Sequence, residues 1–579
     1  MPCQFIMQMS KLRKSSAEAV DNTQSFDSSK KYLHIERPVE TELRNLLRRV
    51  NTAGSKRLIL LCGSAGDGKS HLISYLKHAD SECLLDGYEL YNDATESASP
   101  TLTAIDTLAE KLAPFNDDNY LIDDGYKMII AINLGMLNNF IDSEKGNKYT
   151  ILRKYIESND LFTYTYTKAT FCVDSVFQHV NFSDYQIFSL SKNGIVTTYI
   201  EELFAKVFQS TDNNPFYQAY KESITCSLCK QCPVRHNYEF LQNKSNQDYL
   251  IRRIVEIILK DKAVVSTREI LNLLYGLIVH PDFDEGEFCD IILFPVKYLE
   301  YYLRFSTPMI LNNGSDISPV LDHMIKHDPL KTRNEHIDSA ATRFHSLEVI
   351  GPEFDKATEN TPYSVLTKMT GLSNLGADKP DLKRTVYQFI ARIEDFFKDP
   401  RPSDRFNEYI HYLYCQNTRK TRGLRELYAA TKNAVFKWNG EFGDEFICID
   451  DTNDYYWVLE RLHIKPKIVS IDAQDNVEIQ RFSPSLKLRF SKDPDLEESY
   501  VEIDIDYSLF EIIMAMKEGY RPTWQDKNLH TDFVNFIQKI IDLGEKNSSI
   551  IILPKNGEST QKYIFSEDDF GAAFKEVKL

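Results

Sequence analysis

A glycine-rich octapeptide is the part of this sequence best suited to chemistry on a phosphate. Residues 63–70 read GSAGDGKS and match the pattern GxxxxGK(S/T). Glycines let the backbone turn so that its N–H groups point at phosphate oxygens, and a following helix adds partial positive charge from its N-terminus. Lys69 would neutralise the β- and γ-phosphates, and the Ser70 hydroxyl would hold Mg²⁺. The pattern therefore predicts a site for ATP and Mg²⁺ made by Gly63, Ser64, Ala65, Gly66, Asp67, Gly68, Lys69, Ser70 and His71.

The residues that flank the octapeptide agree with this interpretation. Residues 57–62 (RLILLC) form an apolar run typical of a strand buried on both faces of a parallel sheet, and residues 71–76 continue in a helical pattern. The chain holds only 22 glycines, so a chance match is expected in about one sequence in a hundred of this length. The alternative is a loop that keeps its shape and has lost its nucleotide.

Hydrolysis of ATP also needs a carboxylate to support Mg²⁺ and a group to orient the attacking water. Asp93 and Glu96 follow the strand predicted at residues 88–91 and are the candidates for these roles, with Asp93 as a second Mg²⁺ ligand. The competing interpretation is a helix N-cap at Asp93 or Thr95. The usual arrangement, an apolar strand that runs straight into an acidic pair, is not evident in this half of the chain.

Two further polar residues are candidates for contact with a γ-phosphate. Asn133 closes the apolar run at residues 128–132 (MIIAI), where many ATPases of the AAA-like class carry a polar residue that senses the γ-phosphate. Its alternative role is a turn-forming residue before Gly135. Arg268 begins a predicted helix and could reach the phosphate within one chain or from a neighbouring subunit, with a surface arginine as the alternative. With Lys69 and the two carboxylates, these residues form the predicted catalytic set.

A cysteine cluster has the spacing of a metal site. Residues 226–236 read CSLCKQCPVRH and bring three thiols and one imidazole into eleven residues. The predicted ligands of a tetrahedral zinc are Cys226, Cys229, Cys232 and His236. Two alternatives stay open, namely an iron–sulfur cluster with Cys289 as its fourth ligand and reduced cysteines without a metal. Any metal here would have the structural role of holding the loop together, because no nearby carboxylate or open coordination position argues for catalysis.

The order of the predicted elements indicates an α/β protein of several domains. Further strands are predicted at residues 88–91, 128–132 and 186–190, with helices between them at 101–112 and 194–208. Alternating strands and helices favour a parallel sheet with helices on its faces, and 579 residues are too many for one ordinary core. The predicted divisions are a flexible lead-in at 1–30, a P-loop NTPase domain at 31–280 that includes the Cys-rich loop at 226–236, a mainly helical region at 281–440 and a C-terminal α+β module at 441–579.

The composition constrains the partners and the location of the protein. The formal net charge of −17 repels a polyanion at long range, so the chain as a whole is not expected to coat DNA or RNA. A basic cluster between Arg419 and Arg425 is a local exception, although a solvated helix face explains such clusters more often. No stretch approaches the roughly 20 apolar residues that span a bilayer, and residues 1–16 lack the apolar run of a signal peptide. A cytoplasmic protein with reduced cysteines and no membrane contact is expected.

Several spaced segments resemble one known family. The phosphate loop with its next residues, GSAGDGKSHL, is followed by YNDATES at 91–97, IIAINLGMLNNF at 129–140, VNFSDYQIFSLS at 180–191 and CSLCKQCPVRHN at 226–237. Together these segments resemble the DptF family, which are components of bacterial restriction systems that depend on DNA phosphorothioation. The resemblance runs over nearly the whole chain. It implies a P-loop ATPase that acts with DptG and DptH proteins against DNA lacking the sulfur modification, in antiviral defence.

Two functions are therefore expected, from different classes. The first is an ATP-binding, ATP-hydrolysing subunit of a DNA restriction complex, which reaches DNA through the complex. The second is a non-hydrolysing scaffold or signalling switch, in which bound nucleotide locks the helical region against the α/β domain. The lack of a clear acidic pair near the phosphate loop favours the second. Neither a PD-(D/E)xK nor an HNH pattern occurs in a convincing context. DNA cleavage is therefore expected in a partner, and the alternative is a system that damages DNA indirectly.

Overall fold

Two compact units divide the chain in the computed structural model. The structure describes residues 3–21, 28–64, 66–91, 103–159, 161–162, 171–172, 174–314, 317–331, 335–370, 380–397, 403–443, 446–450, 454–467, 477–492, 500–543, 549–555, 561–568 and 571–578. The first unit holds Met1–Ser189 and Thr197–Arg401, and the second holds Leu190–Val196 and Pro402–Leu579. Among the described residues, no helix combines the length and the apolar character needed to cross a lipid bilayer.

The first unit is built on a four-stranded parallel sheet. Its strands are β1 (Arg57–Cys62), β2 (Tyr88–Tyr91), β3 (Lys127–Ile132) and β4 (Phe177–Asn181), in the spatial order β2-β3-β1-β4. Every residue of β1 is buried, because β3 and β4 flank it and helices cover both faces of the sheet. Cys62 at the end of β1 pairs with Ile132 and with Asn181, so three strands end at one edge. The glycine-rich loop leaves β1 at this edge.

Helices make up most of the rest of the first unit. They are α1 (Gln4–Asp21), α2 (Ser28–Leu33), α3 (Pro38–Ala53), α4 (Lys69–His78), α5 (Ala104–Leu112), α6 (Leu134–Asp142), α7 (Thr150–Ser158), α8 (Thr198–Phe208), α9 (Pro215–Glu222), α10 (Pro233–Gln242), α11 (Lys244–Lys260), α12 (Thr267–Ile278), α13 (Glu285–Ile291), α14 (Pro295–Arg304), α15 (Thr307–Asn313), α16 (Pro319–Met324), α17 (Glu335–Ser346), α18 (Gly351–Thr358), α19 (Val365–Thr370) and α20 (Pro380–Phe396). The prediction of a mixed α/β protein with a parallel sheet is confirmed.

Alternate residues of β1 lie in two separate hydrophobic cores. Leu58 and Leu60 belong to a core completed by α5, α6 and α7, whereas Ile59 and Leu61 belong to a core completed by α3 and α4. This division follows from the strand itself, because successive side chains point to opposite faces of a sheet. The sheet is therefore held on both faces, and its carboxyl edge is a fixed platform for the loop after β1.

Helix α1 occupies much of the segment that was predicted as a flexible lead-in. Phe5, Met9 and Leu12 are buried at a spacing of three or four residues, which places them on one face of the helix. The helix packs against α9 and α12, and the Phe5 ring meets Tyr220 and Tyr238 edge to face. The start of the chain is thus part of the packed first unit.

The second unit contains antiparallel sheets and helices. Its strands are the end of β5 (Tyr185–Ser191), β6 (Gly194–Val196), β7 (Phe446–Asp450), β8 (Tyr456–Arg461), β9 (Lys465–Pro466), β10 (Ile479–Arg481), β11 (Leu486–Ser491), β12 (Val501–Ile505), β13 (Ser549–Pro554), β14 (Gln561–Asp568) and β15 (Gly571–Lys578). Its helices are α21 (Asp404–Asn417), α22 (Arg425–Lys437), α23 (Tyr507–Lys517), α24 (Trp524–Leu529) and α25 (Thr531–Leu543).

Three sheets group these strands. The sheets of order β12-β11-β9 and β15-β14-β13-β8-β7 are antiparallel, and a third has the order β10-β5-β6. The strand predicted at residues 186–190 therefore exists as β5 but does not belong to the parallel sheet. Its place beside β1 is taken by β4, which the sequence patterns did not reveal.

A buried ion pair joins α20 to the loop that follows α16 in the first unit. Arg392 Nη2 of α20 donates to Asp328 Oδ2 at 2.7 Å, and the two side chains are only 4% and 3% exposed. The same nitrogen donates to Asn313 Oδ1 at 3.0 Å, and Leu330 N donates to Asp328 Oδ1 at 3.1 Å. Because water does not reach either charge, removal of one partner leaves the other buried and unpaired.

The variant Arg392→Met is expected to lower the free energy of unfolding by about 3–5 kcal/mol, since Asp328 keeps a buried charge. The double variant Arg392→Met with Asp328→Asn should recover most of this loss, because both charges are gone and the amide oxygen can still accept from Leu330. Urea and thermal unfolding of the full chain measure both values. Equal losses in the single and the double variant would contradict the assignment to an unpaired charge.

Candidate phosphate-binding site

The glycine-rich loop between β1 and α4 depends on three unusual backbone conformations. Gly63, Gly66 and Gly68 have φ values of 156°, 88° and 95°, which residues with side chains rarely adopt. Helix α4 begins at Lys69, and its N-cap Gly68 supplies no side-chain cap. The first N–H groups of the helix therefore lie at the carboxyl edge of the sheet, in an arrangement that favours a bound anion. Ala65, a predicted binding residue, lies outside the described residues.

Two charged side chains hold the loop in shape. Lys69 Nζ donates to Gly63 O at 2.8 Å and to Ser64 O at 2.7 Å. Asp67 Oδ2 accepts from Ser64 N at 2.5 Å and from Ser183 Oγ at 3.4 Å. Burial raises the pKa of the Asp67 carboxyl, and the charge of Lys69 opposes this shift. The ammonium thus contacts two neutral carbonyls at the start of the loop, and a phosphate oxygen would be a stronger acceptor than either.

The next two residues of α4 have different environments. Ser70, the predicted Mg²⁺ ligand, is half-buried beside the loop. His71 Nε2 lies 3.1 Å from His34 Nδ1, and the His34 ring stacks on Tyr75 and meets Glu40 through Nε2 at 3.2 Å. Burial lowers the pKa of His71 to about 4, so its imidazole is neutral near pH 7. The His71 side chain therefore packs α4 against the residues around the start of α3, which leaves its backbone as the part able to serve the predicted site.

Two asparagines end the strands on either side of β1. Asn133 follows β3, and its Oδ1 accepts from Met136 N at 2.6 Å as the N-cap of α6. Asn181 ends β4, where its Nδ2 donates to Asp184 Oδ1 at 2.8 Å and its Oδ1 accepts from Ser183 N at 3.2 Å. Asn133 thus has a local structural role, as a helix cap rather than the turn-forming residue held as the alternative, and it also lies at the sheet edge where a γ-phosphate contact is predicted. The two roles are compatible, because the cap uses only the amide oxygen.

The start of α12 packs directly on the loop. Ser266 is the N-cap of α12 and forms a capping box with Glu269. A Cβ atom built on Gly66 would lie 2.7 Å from Ser266 Oγ and 3.4 Å from Arg268 Cβ. Arg268 is therefore beside the loop of its own chain, which favours a role within one chain over a role in a neighbouring subunit. Any side chain at position 66 would push the loop and α12 apart.

Arg37 is a residue of this site that the sequence patterns did not reveal. Its Nη1 donates to Asp67 O at 2.9 Å, and its guanidinium lies 5.2 Å from the centre of the Tyr199 ring. The Tyr199 hydroxyl is 2.7 Å from Thr267 Oγ1 in the first turn of α12. Arg37 thus connects the segment before α3 with the loop, with α8 and with α12. An arginine before Pro38 carries no local signal of such a contact.

The predicted carboxylates lie just beyond the described part of β2. Tyr91 is the last residue of β2 and pairs with Ile130 of β3. Asp93 and Glu96 fall outside the described residues, so their two roles stay predictions. Because β2 runs parallel to β3, its carboxyl end is on the same edge of the sheet as the loop after β1.

The cysteine loop is not arranged as a finished metal site. Cys229 N donates to Cys226 O at 3.1 Å and closes a turn. His236 is buried, and its Nδ1 contacts the Tyr302 hydroxyl. In the part of the chain that the structure describes, no three Cys, His, Asp or Glu side chains are gathered closely enough to hold a metal ion. The four residues predicted as zinc ligands are thus not brought together.

One thiol of this loop has a shifted pKa. Burial raises the pKa of Cys232 to about 12, and hydrogen bonds from the backbones of Arg235 and Val234 oppose the shift. The neighbouring thiols of Cys3 and Cys226 raise it further. Cys3 precedes α1, and the spacing pattern gave no reason to include it with the loop. A divalent cation would act in the opposite direction, because a thiol that binds a metal is deprotonated.

No protein-family model matches this chain, and no curated protein matches it either. These comparisons neither support nor contradict the resemblance to the DptF family. The case for a function therefore depends on the geometry of the loop and its neighbours.

Two glycines of the loop test its contact with α12, because they differ mainly in their surroundings. Gly66→Ala and Gly68→Ala impose similar backbone strain, but only the first places a Cβ against Ser266. We expect Gly68→Ala to lower the free energy of unfolding by about 1 kcal/mol and Gly66→Ala by about 2–4 kcal/mol. Thermal unfolding without nucleotide compares them. Equal losses would show that the loop does not pack on α12.

Proposed function

We propose that this chain binds ATP with Mg²⁺ at residues 63–71 and hydrolyses it. The proposal is carried by the contact between the loop and the first turn of α12, which brings Arg268 beside the turn that Lys69 closes. Two cations and the start of a helix at the carboxyl edge of a parallel sheet are suited to a triphosphate. In finer terms, we propose a P-loop NTPase domain in the first unit and a C-terminal α+β module in the second.

Each residue of the loop and its surroundings has one task in this proposal. Lys69 exchanges its carbonyl acceptors for β- and γ-phosphate oxygens, and the Ser70 hydroxyl holds Mg²⁺. Arg268 neutralises charge that develops on the γ-phosphate in the transition state. Asn133 contacts the γ-phosphate through Nδ2, since Oδ1 is used by the helix cap. Arg37 is a positioning residue, because it acts on the ligand only through the Asp67 carbonyl that it holds.

The two carboxylates after β2 complete the proposed reaction. Asp93 supports Mg²⁺ as a second protein ligand, and Glu96 orients the water that attacks the γ-phosphate. Their part of the proposal depends on their position in the sequence, two and five residues beyond the end of β2.

The resemblance to the DptF family places this activity in a biological setting. On that basis we assign the chain as the cytoplasmic ATPase subunit of a phosphorothioation-dependent restriction complex. Its partners are DptG and DptH proteins, and the complex acts against DNA that lacks the sulfur modification. DNA cleavage is assigned to a partner, because the sequence holds no nuclease pattern.

A non-hydrolysing switch is the second candidate, and two observations favour it. The Asn133 carboxamide oxygen already serves as a helix cap, so the residue has a structural role without nucleotide. Arg37 and Tyr199 also connect the loop to α8 and α12. A bound triphosphate could stiffen these helices through the same contacts without being hydrolysed.

ATP turnover separates the two candidates. Lys69→Ala is expected to reduce kcat/KM for ATP by about 100-fold or more, because the loop loses its ammonium. Lys77→Ala is the matched control, since Lys77 is an exposed lysine of the same helix, and it should turn over ATP like the wild type. Each protein is assayed alone and with the partner proteins, with unmodified or phosphorothioated DNA.

The pattern of turnover decides the assignment. Stimulation of the wild type by unmodified DNA supports the restriction complex. ATP binding without turnover under every condition supports the switch. If the wild type neither binds nor hydrolyses ATP, both candidates fail.

The metal content of the purified chain decides among the three interpretations of the cysteine loop. We propose that the loop binds a structural zinc ion, about one per chain, because three thiols at this spacing suit zinc best. Cys229→Ser should abolish zinc binding, and Cys289→Ser should not. Elemental analysis after purification without chelator measures both. Iron that is lost in Cys289→Ser would indicate an iron–sulfur cluster, and wild type without metal would indicate reduced cysteines.

A further inference from the structure

The segment between α21 and α22 is basic. Residues 403–440 carry seven Lys or Arg against three Asp or Glu, within a chain whose formal net charge is −17. Four of these seven cations lie in the seven residues from Arg419 to Arg425. The side chains of Arg419, Arg422 and Arg425 are exposed.

Acidic side chains do not neutralise these three arginines. Among the described residues, Arg419, Arg422 and Arg425 form no ion pair. The adjacent acidic residue, Glu426, lies 3.7 Å from Lys517 Nζ and so has a cation of its own. Within the part of the chain that the structure describes, no carboxylate offsets the charge of these three guanidinium groups.

The backbone that carries these arginines is held in place. Lys420 N donates to Cys415 O at 2.8 Å, and Gly423 N donates to Lys420 O at 2.9 Å. A Cβ atom on Gly423 would lie 2.5 Å from Cys415 Sγ, so the turn lies directly on α21. Because the backbone is already rigid, only the side chains lose conformational entropy when a ligand binds.

Two features of this segment are expected to lower the stability of the folded protein. Arg419 has a φ of 61°, a left-handed conformation that is strained for a residue with a side chain. Arg422 and Arg425 lie at the N-terminal end of α22, where the helix dipole disfavours positive charge. Residues that break local rules in this way are expected where function, rather than stability, keeps them.

We propose that Arg419, Arg422 and Arg425 bind the phosphate backbone of a nucleic acid, independently of base sequence. Guanidinium groups bind phosphates through paired N–H donors. Three of them at intervals of three residues suit a chain of phosphates better than a single phosphate ion. Because the chain as a whole is acidic, the contact is confined to this segment. The proposed ATP hydrolysis is not needed for this binding, and it bears only on whether DNA then stimulates turnover.

A pair of charge-matched variants tests the proposal in the full chain. The test variant carries Arg419→Gln, Arg422→Gln and Arg425→Gln. The control carries Arg48→Gln, Arg304→Gln and Arg343→Gln, which replace exposed arginines that each face a carboxylate. Both variants lose the same charge, so any difference between them reports the position of the charge.

Fluorescence anisotropy with a labelled DNA duplex and with its single strand, in the absence of nucleotide, gives the affinities at several salt concentrations. We expect the test variant to bind about tenfold more weakly or worse, with the slope of log K against log salt reduced by about 2–3. The control should bind like the wild type. Basal ATP turnover of the test variant should be unchanged, so a failure of the ATPase proposal does not affect this readout.

Loss of binding to either the duplex or the single strand in the test variant alone supports the proposal and identifies the strand form. Equal losses in both variants, or no loss in either, would overturn it. The proposal would also be overturned if the wild-type protein bound neither DNA form but bound a phosphopeptide through these arginines.

A single variant separates a binding role from a structural one. Asn tolerates the left-handed conformation, so Arg419→Asn should leave the melting temperature unchanged or raise it. The same variant should bind DNA more weakly and lower the salt slope by about 1. If Arg419 only shapes the turn, DNA binding of this variant will equal that of the wild type.

Discussion

The close approach of the loop to the first turn of α12 is the contact on which the candidate site depends. Gly66 has no side chain, and Ser266 and Arg268 occupy the space that a side chain would need. This approach brings Arg268, from a distant part of the chain, beside the loop that Lys69 closes. Without it, the parallel sheet would keep its two cores, but Arg268 would not lie beside the loop. The proposed triphosphate would then lose one of the cations assigned to it, because Arg268 could not reach its γ-phosphate.

The local sequence pattern was sufficient to predict three of the four strands of the parallel sheet, but it did not predict the edge strand β4. β1, β2 and β3 were predicted because each is a short run that ends at a turn signal, and β1 and β3 are almost wholly apolar. β4 has the sequence FQHVN and was missed, because its two polar residues hide the apolar pattern of a buried strand. In the structure Gln178 hydrogen-bonds to the Cys172 carbonyl and His179 to the Tyr155 hydroxyl. β5 was predicted as a strand but in the wrong sheet. Sheet membership is set by distant partners, which a hydropathy pattern cannot show.

The candidate site divides in the same way. Its loop comes from one contiguous motif, in which the residue types follow from the turn they must make, so the strand before it and the helix after it could be predicted from local sequence. The residues around it arrive through long-range contacts. Arg37 meets the carbonyl of Asp67, thirty residues away, and Cys3 lies near Cys232, the residue just before α10. Neither has a local signal, since an arginine before a proline and a cysteine near a terminus have many ordinary explanations.

Charge distribution explains how an acidic chain can have two sites for anions. At physiological salt the Debye length is about 8 Å, so exposed carboxylates farther away than this are largely screened from a bound ligand. The cations of the loop and those of the segment at residues 419–425 act at contact distance, where screening is weak. The net charge of −17 instead acts on the approach of a polyanion, which it slows. A small triphosphate suffers little from this repulsion, but a long nucleic acid suffers it along its whole length. In the proposed complex, a partner that delivers the nucleic acid would remove that kinetic cost.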